Sequence, residues 1–218
     1  MPDAQVHNIF PTPLWVVDFA PEIHQPLNER LRTTLYDMMG ARPEAGTAGT
    51  LQTDNDLQTY DEFTDIVALA AQSVQAAIDH LQVECENFEF TGFWANINPP
   101  GEAATPHAHP NNFLAGVYYV QTDPGADSIY FTDPRPQAGV ISPPVTEEDN
   151  IYSGNEVSVP AKPGRMVVFP AWLVHGVPAN RSTRDRISMS FNVMFPHFTE
   201  NMSQPKWQPS VRLKRAAG

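Results

Sequence analysis

Two kinds of hydrophobic periodicity divide this chain. From Glu22 to Met39, apolar residues recur at helical spacing with charged residues between them, and Gly40 follows as a helix-ending residue. A second apolar stripe follows the small and polar segment 41–59 and lies on one face of a helix: Phe63, Ile66, Val67, Ala70, Val74, Ile78 and Leu81. The pattern predicts two amphipathic helices packed outside a sheet, with 41–59 as a surface loop.

From Glu86 onward the periodicity changes from helical to two. In the segment 87–98, the side chains of Trp94, Asn96 and Asn98 share one face of a predicted strand, and apolar side chains fill the other face. The aligned asparagines indicate a polar lining on that face. Further strand-like runs are separated by turns rich in Pro, Gly and Asp: 113–120, 128–132, 156–159, 165–169 and 186–195.

The order of these elements predicts the fold class. Segment 8–19 is extended but interrupted by prolines, which is typical of an edge strand. Two helices followed by many short strands favour a mainly β fold, a β-sandwich or jelly roll with a helical buttress. At 218 residues we expect one domain. Within it, 1–85 holds the first strand and the helices, 86–198 the jelly-roll core and 199–218 a C-terminal tail.

Charge and composition exclude several classes of partner. The formal net charge is -12, from 25 acidic and 13 basic residues, and it disfavours binding to nucleic acid phosphates or anionic lipid. The basic segment 212–215 is interpreted as a solvated terminus. The chain lacks an apolar run of membrane-helix length and a secretory signal pattern, and the lone Cys85 excludes an internal disulfide framework. We therefore expect a soluble, cytoplasmic protein without nucleic acid or membrane partners.

The candidate chemistry lies in the segment 105–112. His107 and His109 are two residues apart, so in an extended segment both imidazoles point to the same side and can reach one metal ion. A third histidine, His175, ends another apolar run. The order predicts a metal site, and the alternative is that His107 and His109 are exposed imidazoles beside prolines. The remaining histidines are interpreted as structural: His7, His24, His80 and His197.

A resemblance to a known family extends this prediction over about residues 90–195. Seven short motifs stand in order along the chain: His107-Ala-His109, Gly116-Val-Tyr-Tyr119, Asp133-Pro-Arg135, Pro163-Gly164, Phe169-Pro170, His175 and Arg186-Ile-Ser188. This combination resembles the Fe(II)- and 2-oxoglutarate-dependent oxygenase superfamily, whose fold is the double-stranded β-helix, a jelly roll similar to that of the cupins. Within the superfamily it is similar to oxygenases of bacteria and phages.

The resemblance implies that His107, His109 and His175 hold Fe(II) and leave three coordination positions open for 2-oxoglutarate and O2. The superfamily generally has Asp or Glu at the second ligand position, where this chain has His109. A site with three histidines carries one less negative charge, and it also suits zinc, nickel or copper. A nearby Asp could alternatively complete the site from elsewhere in the chain.

The resemblance also implies a basic residue after the distal histidine that binds the far carboxylate of 2-oxoglutarate. A guanidinium pairs with a carboxylate through two hydrogen bonds, and the candidates are Arg184 and Arg186, which are expected to share one strand face. Arg186 is preferred because it opens the strand directly. The remaining candidates for the cosubstrate pocket are side chains with hydroxyl or amide groups: Ser188, Tyr119, Asn96 and Asn98.

The leading hypothesis is an oxygenase that couples decarboxylation of 2-oxoglutarate to hydroxylation of a substrate. Two alternatives stay open, namely a cupin-type dioxygenase with three histidines that uses no 2-oxoglutarate, and a metal-binding jelly-roll module without turnover. The substrate, a small molecule or a peptide, is not indicated by the sequence. We expect loops 41–59 and 134–155 to cover the mouth of the site, with Glu147, Glu148 and Asp149 as solvated loop charges. A homodimer is the default oligomer.

Overall fold

A computed structural model describes residues 4–40, 49–135 and 154–197, together with the single residues 137, 140, 141, 143, 144, 146 and 152. Several sequence predictions lie outside these residues: the tail 199–218 with its basic segment, residues 41–48 of loop 41–59, and the acidic residues Glu147, Glu148 and Asp149. The division of the chain into one domain therefore stays a prediction.

Both helices form where the periodicity predicts them. Helix α1 spans Pro21–Met39, and the fixed φ of Pro21 suits the first helical position. Gly40 ends it with a φ of 61°, in the left-handed region that favours glycine. Helix α2 spans Thr64–Leu81 and follows two short 3-10 turns. Among the described residues, no helix is long and apolar enough to cross a membrane.

In the described part of the chain, ten strands form two sheets that face each other. The strands are β1 (Trp15–Asp18), β2 (Leu51–Gln52), β3 (Glu89–Asn98), β4 (Ala104–His107), β5 (Leu114–Gln121), β6 (Ser128–Thr132), β7 (Glu156–Pro160), β8 (Arg165–Pro170), β9 (His175–Val177) and β10 (Arg186–Met194). The larger sheet has the order β1-β8-β5-β10-β3-β2, and the smaller has the order β4-β9-β6-β7. All these pairs are antiparallel, which confirms the predicted jelly roll with a helical buttress.

The alternation along β10 assigns the two faces of the larger sheet. Its odd-numbered residues are fully buried and pack against the helices in one core: Ile187, Met189, Phe191 and Val193. Its even-numbered residues from Arg186 to Asn192 face the other way. On that side a second apolar cluster contains Tyr119 of the larger sheet together with Ile129 and Phe131 of the smaller one. The even-numbered side chains of β10 therefore line the interior between the sheets.

The strand predictions differ from the structure in two respects. The predicted extended segment 8–19 contains only the short strand β1, which lies at the edge of the larger sheet as its prolines suggest. Strands β4 and β9 are absent from the runs predicted by periodicity. Each has four residues or fewer, too few to show an alternation, and the two pair with each other.

The helix-facing core leaves no room for a side chain at Gly116. A Cβ built there lies 2.2 Å from the Phe191 ring, so we expect Gly116→Ala to lower the free energy of unfolding by about 1–3 kcal/mol. Gly92→Ala is the matched control because its added Cβ meets its nearest atom at 3.5 Å, an ordinary contact. Chemical denaturation of both variants measures this difference. Equal stabilities would contradict the packing described here.

Candidate metal centre

Three histidines meet at one end of the interior between the sheets. The ligand nitrogens of His107, His109 and His175 lie within 4.8 Å of one another, and the Nε2 atoms of His109 and His175 are 3.3 Å apart. Two nitrogens that each bind a metal ion at about 2.1 Å stand about 3.0–3.4 Å apart for angles between right and tetrahedral. This separation therefore matches that of two ligands of one ion.

Backbone pairing brings these side chains together. His107 ends β4 and His175 begins β9, and the two residues are direct partners in the antiparallel ladder. His109 lies just beyond β4, where its backbone N–H donates to the carbonyl oxygen of Ala171 at 2.8 Å. Two adjacent segments of chain thus position all three imidazoles.

Hydrogen bonds fix which nitrogen is available in two of the rings. His107 Nδ1 lies 2.8 Å from the Thr105 carbonyl oxygen, and His175 Nδ1 lies 2.9 Å from the Leu173 carbonyl oxygen. A carbonyl only accepts, so in both rings Nδ1 carries the proton and Nε2 presents its lone pair. This is the arrangement in which metal-binding histidines are usually held.

The electrostatics of the site favour neutral imidazoles. Burial lowers the pKa of His175 to about 4, although its bond to Leu173 partly opposes the effect. Burial and then the neighbouring His107 lower the pKa of His109 to about 4 as well. Metal binding to these two rings therefore displaces no proton at neutral pH.

The metal-free protein is expected to lose stability as the pH falls from 6.5 to about 4. His109 and His175 have pKa values of about 4 in the folded chain and 6.5 as unperturbed side chains. The unfolded state binds more protons than the folded state between these two pH values. The free energy of unfolding therefore decreases as the pH is lowered through this range, and at higher pH these two groups leave it unchanged. Melting temperatures recorded across this range would check it. The double variant His109→Asn/His175→Asn should show a shallower dependence, and an unchanged slope would contradict the assignment.

A buried cation lies in the same interior. Arg186 is 2% exposed, and its Nη1 donates only a long 3.4 Å hydrogen bond to the Pro178 carbonyl oxygen. Burial lowers the pKa of Arg186, and within the described residues no carboxylate lies close enough to pair with it. Nearby, the Tyr119 hydroxyl is fully buried and has no hydrogen-bond partner among the described residues, and burial raises its pKa well above the usual value. The pocket therefore has a positive charge and an unused hydroxyl, which suit a carboxylate ligand.

Apart from Arg184, the other cosubstrate candidates lie on the inner face of the larger sheet. Ser188 pairs across the sheet with Asn96 and with Tyr119, so all three side chains share the inner face. Asn98 stands opposite Arg186 on that face, but its amide donates to Thr50 Oγ1 at 3.0 Å.

The prediction that Arg184 shares a strand face with Arg186 is wrong. Arg184 precedes β10 in a bend, with its side chain 57% exposed, and it donates two hydrogen bonds to Asp123 at 2.6 and 2.8 Å. Its guanidinium is thus held in a surface ion pair away from the interior.

Comparison with known proteins supports the resemblance. Residues 92–192 match the family model described as "Putative 2OG-Fe(II) oxygenase". This part of the chain, a little under half of it, is similar to that family. The match begins in β3 and ends in β10, so it contains the three histidines and Arg186. The comparison with curated protein sequences found no relative.

Several solved structures share the fold. HygX from Streptomyces hygroscopicus, solved with nickel and 2-oxoglutarate, is 13% identical with a TM-score of 0.59, and the match covers 85% of this chain and 83% of HygX. The epimerase SnoN from nogalamycin biosynthesis is 16% identical with a TM-score of 0.56, over 84% of this chain and 77% of SnoN. A Pseudomonas putida prolyl-4-hydroxylase is 16% identical with a TM-score of 0.54, over 84% of this chain and 93% of the hydroxylase.

The residues of this site fit both groups that the resemblance implies. Three imidazole nitrogens would hold Fe(II) and leave coordination positions for a bidentate 2-oxoacid. Among the described residues, the cluster that could hold a metal contains no carboxylate. The structure thus brings together the three histidines that the sequence predicts as metal ligands.

Sequence reasoning missed two features of the metal centre. The indole of Trp94 stacks on the imidazole of His109, with ring centroids 5.9 Å apart and planes inclined by 26°. The Asn192 side chain lies beside His109 as well, since its hydrogen bonding raises the pKa of that imidazole. Along β10, the even-numbered residues from Arg186 onward share one face. This alternation is the sequence signal that could have assigned Asn192 to the inner face.

Two surface clefts of about 540 Å³ each lie apart from the histidines. One is lined by α1 together with Lys162 and Arg184. The other is lined by Asp133, Arg135 and neighbouring loop residues. Asp133 follows β6 directly, and β6 pairs with β9, which begins at His175. The second cleft therefore starts one strand away from the metal centre.

Proposed function

We propose that this chain is a 2-oxoglutarate-dependent oxygenase that holds Fe(II) with His107, His109 and His175 and hydroxylates an organic substrate. The observation that carries the proposal is the combination of two features in one interior. Three imidazole nitrogens converge at one point, and the same space is lined by Arg186, which is buried and has no carboxylate partner among the described residues. A metal-binding module without turnover would need the first feature and not the second.

Each residue has a role that follows from its surroundings. Arg186 and the Tyr119 hydroxyl bind the far carboxylate of 2-oxoglutarate, and Ser188 adds a hydroxyl on the same face. The apolar side chains of the second cluster keep bulk water out of the interior. Bound Fe(II) supplies O2 activation and couples the oxidative decarboxylation of 2-oxoglutarate to substrate hydroxylation.

The substrate is proposed to be a small molecule or a peptide that approaches beside Asp133. Support comes from the cleft at Asp133 and Arg135, which begins one strand from the metal centre and is also lined by Gln137, Tyr152 and Asn155. Similar folds serve different molecules: one HygX structure holds hygromycin B, and another relative is a prolyl-4-hydroxylase. We further propose a cytoplasmic enzyme without nucleic acid partners, on the basis of its charge of -12, and a homodimer as the default assembly.

Formation of succinate without added substrate tests the proposal. Purified protein is incubated with Fe(II), ascorbate, O2 and 2-oxoglutarate, and succinate is quantified against the His107→Ala variant. We expect slow, iron-dependent succinate formation that the variant lacks. Iron binding without consumption of 2-oxoglutarate would contradict the proposal and favour a cupin-type dioxygenase or a non-catalytic module.

A further inference from the structure

The three imidazoles are supported unequally. His107 and His175 each donate Nδ1–H to the carbonyl oxygen of the residue two positions earlier in the chain, at 2.8 and 2.9 Å. For His109 the residue two positions earlier is His107 itself, and within the described part of the chain no backbone carbonyl accepts from the His109 ring. Its Nε2 is turned toward His175 at 3.3 Å, which leaves Nδ1 for another partner. That partner must come from elsewhere in the fold.

Asn192 lies where such a partner is needed. It belongs to the inner-face row of β10 and pairs across the sheet with Ala115 on one side and Gly92 on the other. Its Oδ1 is buried and has no hydrogen bond of normal geometry, although the side chain acts on His109 as an acceptor. A buried carbonyl oxygen that accepts no hydrogen bond lowers the stability of the folded protein. A small movement of the Asn192 side chain that gives its Oδ1 a donor is therefore favoured.

We propose that Asn192 is the positioning residue of His109, its Oδ1 accepting the Nδ1–H of that ring when Nε2 binds the metal. The inference rests on the proposed three-histidine metal site. It gives all three ligands the same arrangement, with Nδ1–H donated to an oxygen and Nε2 directed at the metal. Two of these oxygens belong to the backbone and the third to a side chain, which makes the third one accessible to mutation.

The neighbours of His109 explain why this ring needs a side-chain acceptor. It lies just beyond the end of β4, so its orientation is set by its contacts and not by a strand. Trp94 stacks on one face of the ring and favours one ring plane, but a 180° rotation about the Cβ–Cγ bond keeps that plane and exchanges Nδ1 with Cδ2. A hydrogen bond to Nδ1 removes that rotation and fixes the tautomer.

Cobalt titration of the full chain tests this role. Co(II) is added to the metal-free wild-type protein and to variants, and the visible absorption of the bound ion gives the dissociation constant and reports the ligand geometry. We expect Asn192→Ala to weaken Co(II) binding on the order of 10 to 100-fold and to alter the spectrum. Asn192→Asp should restore the affinity to within a few fold, because a carboxylate oxygen accepts from Nδ1–H at nearly the same place. Ser190→Ala, on the same face of β10, is the matched control and should bind as the wild type does.

The outcomes separate this inference from the proposed function. If the wild-type protein binds no Co(II), the metal site itself is refuted. If it binds, and Asn192→Ala binds equally well or Asn192→Asp loses as much affinity as Asn192→Ala, the positioning role is refuted. Should Asn192→Ala fail to fold, Asn192→Ser takes its place, since its short hydroxyl cannot reach the ring, and the comparison with Asn192→Asp still decides.

Discussion

Replacing His175 with alanine is expected to abolish succinate formation and to weaken metal binding at least about 100-fold. The free energies of zinc binding to four-ligand sites, about 10–16 kcal/mol, correspond to about 3 kcal/mol for each ligand. That amount is a factor of about 100 or more in affinity. His175 is also the most buried of the three histidines. The centroid of its ring lies 4.5 Å from the ring centroids of both Phe169 and His107.

The control for this experiment is His80→Ala. His80 is exposed on α2 and contacts the edge of Trp15, far in sequence from the metal ligands. The His80→Ala variant loses an imidazole, as His175→Ala does, but its metal centre is unchanged. Iron binding and turnover should therefore match those of the wild type. Iron binding measured by equilibrium dialysis checks both variants. Full iron occupancy in the His175→Ala protein would mean that the metal is held elsewhere.

The second large effect is expected for Arg186→Met. Removing one partner of a buried charge pair costs about 2–5 kcal/mol, so the dissociation constant for 2-oxoglutarate should rise about 30-fold or more in the Fe(II)-loaded protein. The free protein should respond in the opposite direction. Arg186 is a buried cation without a carboxylate partner among the described residues, so methionine should maintain or raise the melting temperature.

Arg184→Met is the matched control for Arg186→Met. Both changes remove one positive charge from the same stretch of chain, but Arg184 is an exposed partner of Asp123. Its loss should leave 2-oxoglutarate binding unchanged and cost little stability, as is usual for surface ion pairs. Calorimetric titration of 2-oxoglutarate into both variants measures the difference. Equal losses of affinity would reject Arg186 as the specific carboxylate ligand.

The outline of the fold could be predicted from the sequence because its elements have clear periodicities. The stripe from Phe63 to Ile78 buries its members as a helix face should, and the alternation in β3 separates Trp94, Asn96 and Asn98 from the apolar core. Strands β4 and β9 carry two of the candidate ligands but are too short for an alternation. They exist because their backbones pair with each other, which no local pattern encodes.

The candidate site was predictable as a set of residues and only partly as an arrangement. Spacing brings His107 and His109 to one side, but the pairing of His107 with His175 depends on long-range backbone contacts. A separation of two residues predicts that Arg184 and Arg186 share a strand face, but Arg184 lies in a bend before the strand begins. The acceptors of the His107 and His175 rings are backbone carbonyls, which every residue has, so the sequence contains no sign of them.

The most direct test of the central claim is an anaerobic titration of the Fe(II)-loaded protein with 2-oxoglutarate. Chelation of the 2-oxoacid by iron produces a weak visible charge-transfer band. The account predicts a saturable band in the wild-type protein that is lost in His109→Ala and shifted to much higher 2-oxoglutarate concentration in Arg186→Met. Iron demonstrably bound to the three histidines with no band at any 2-oxoglutarate concentration would contradict it.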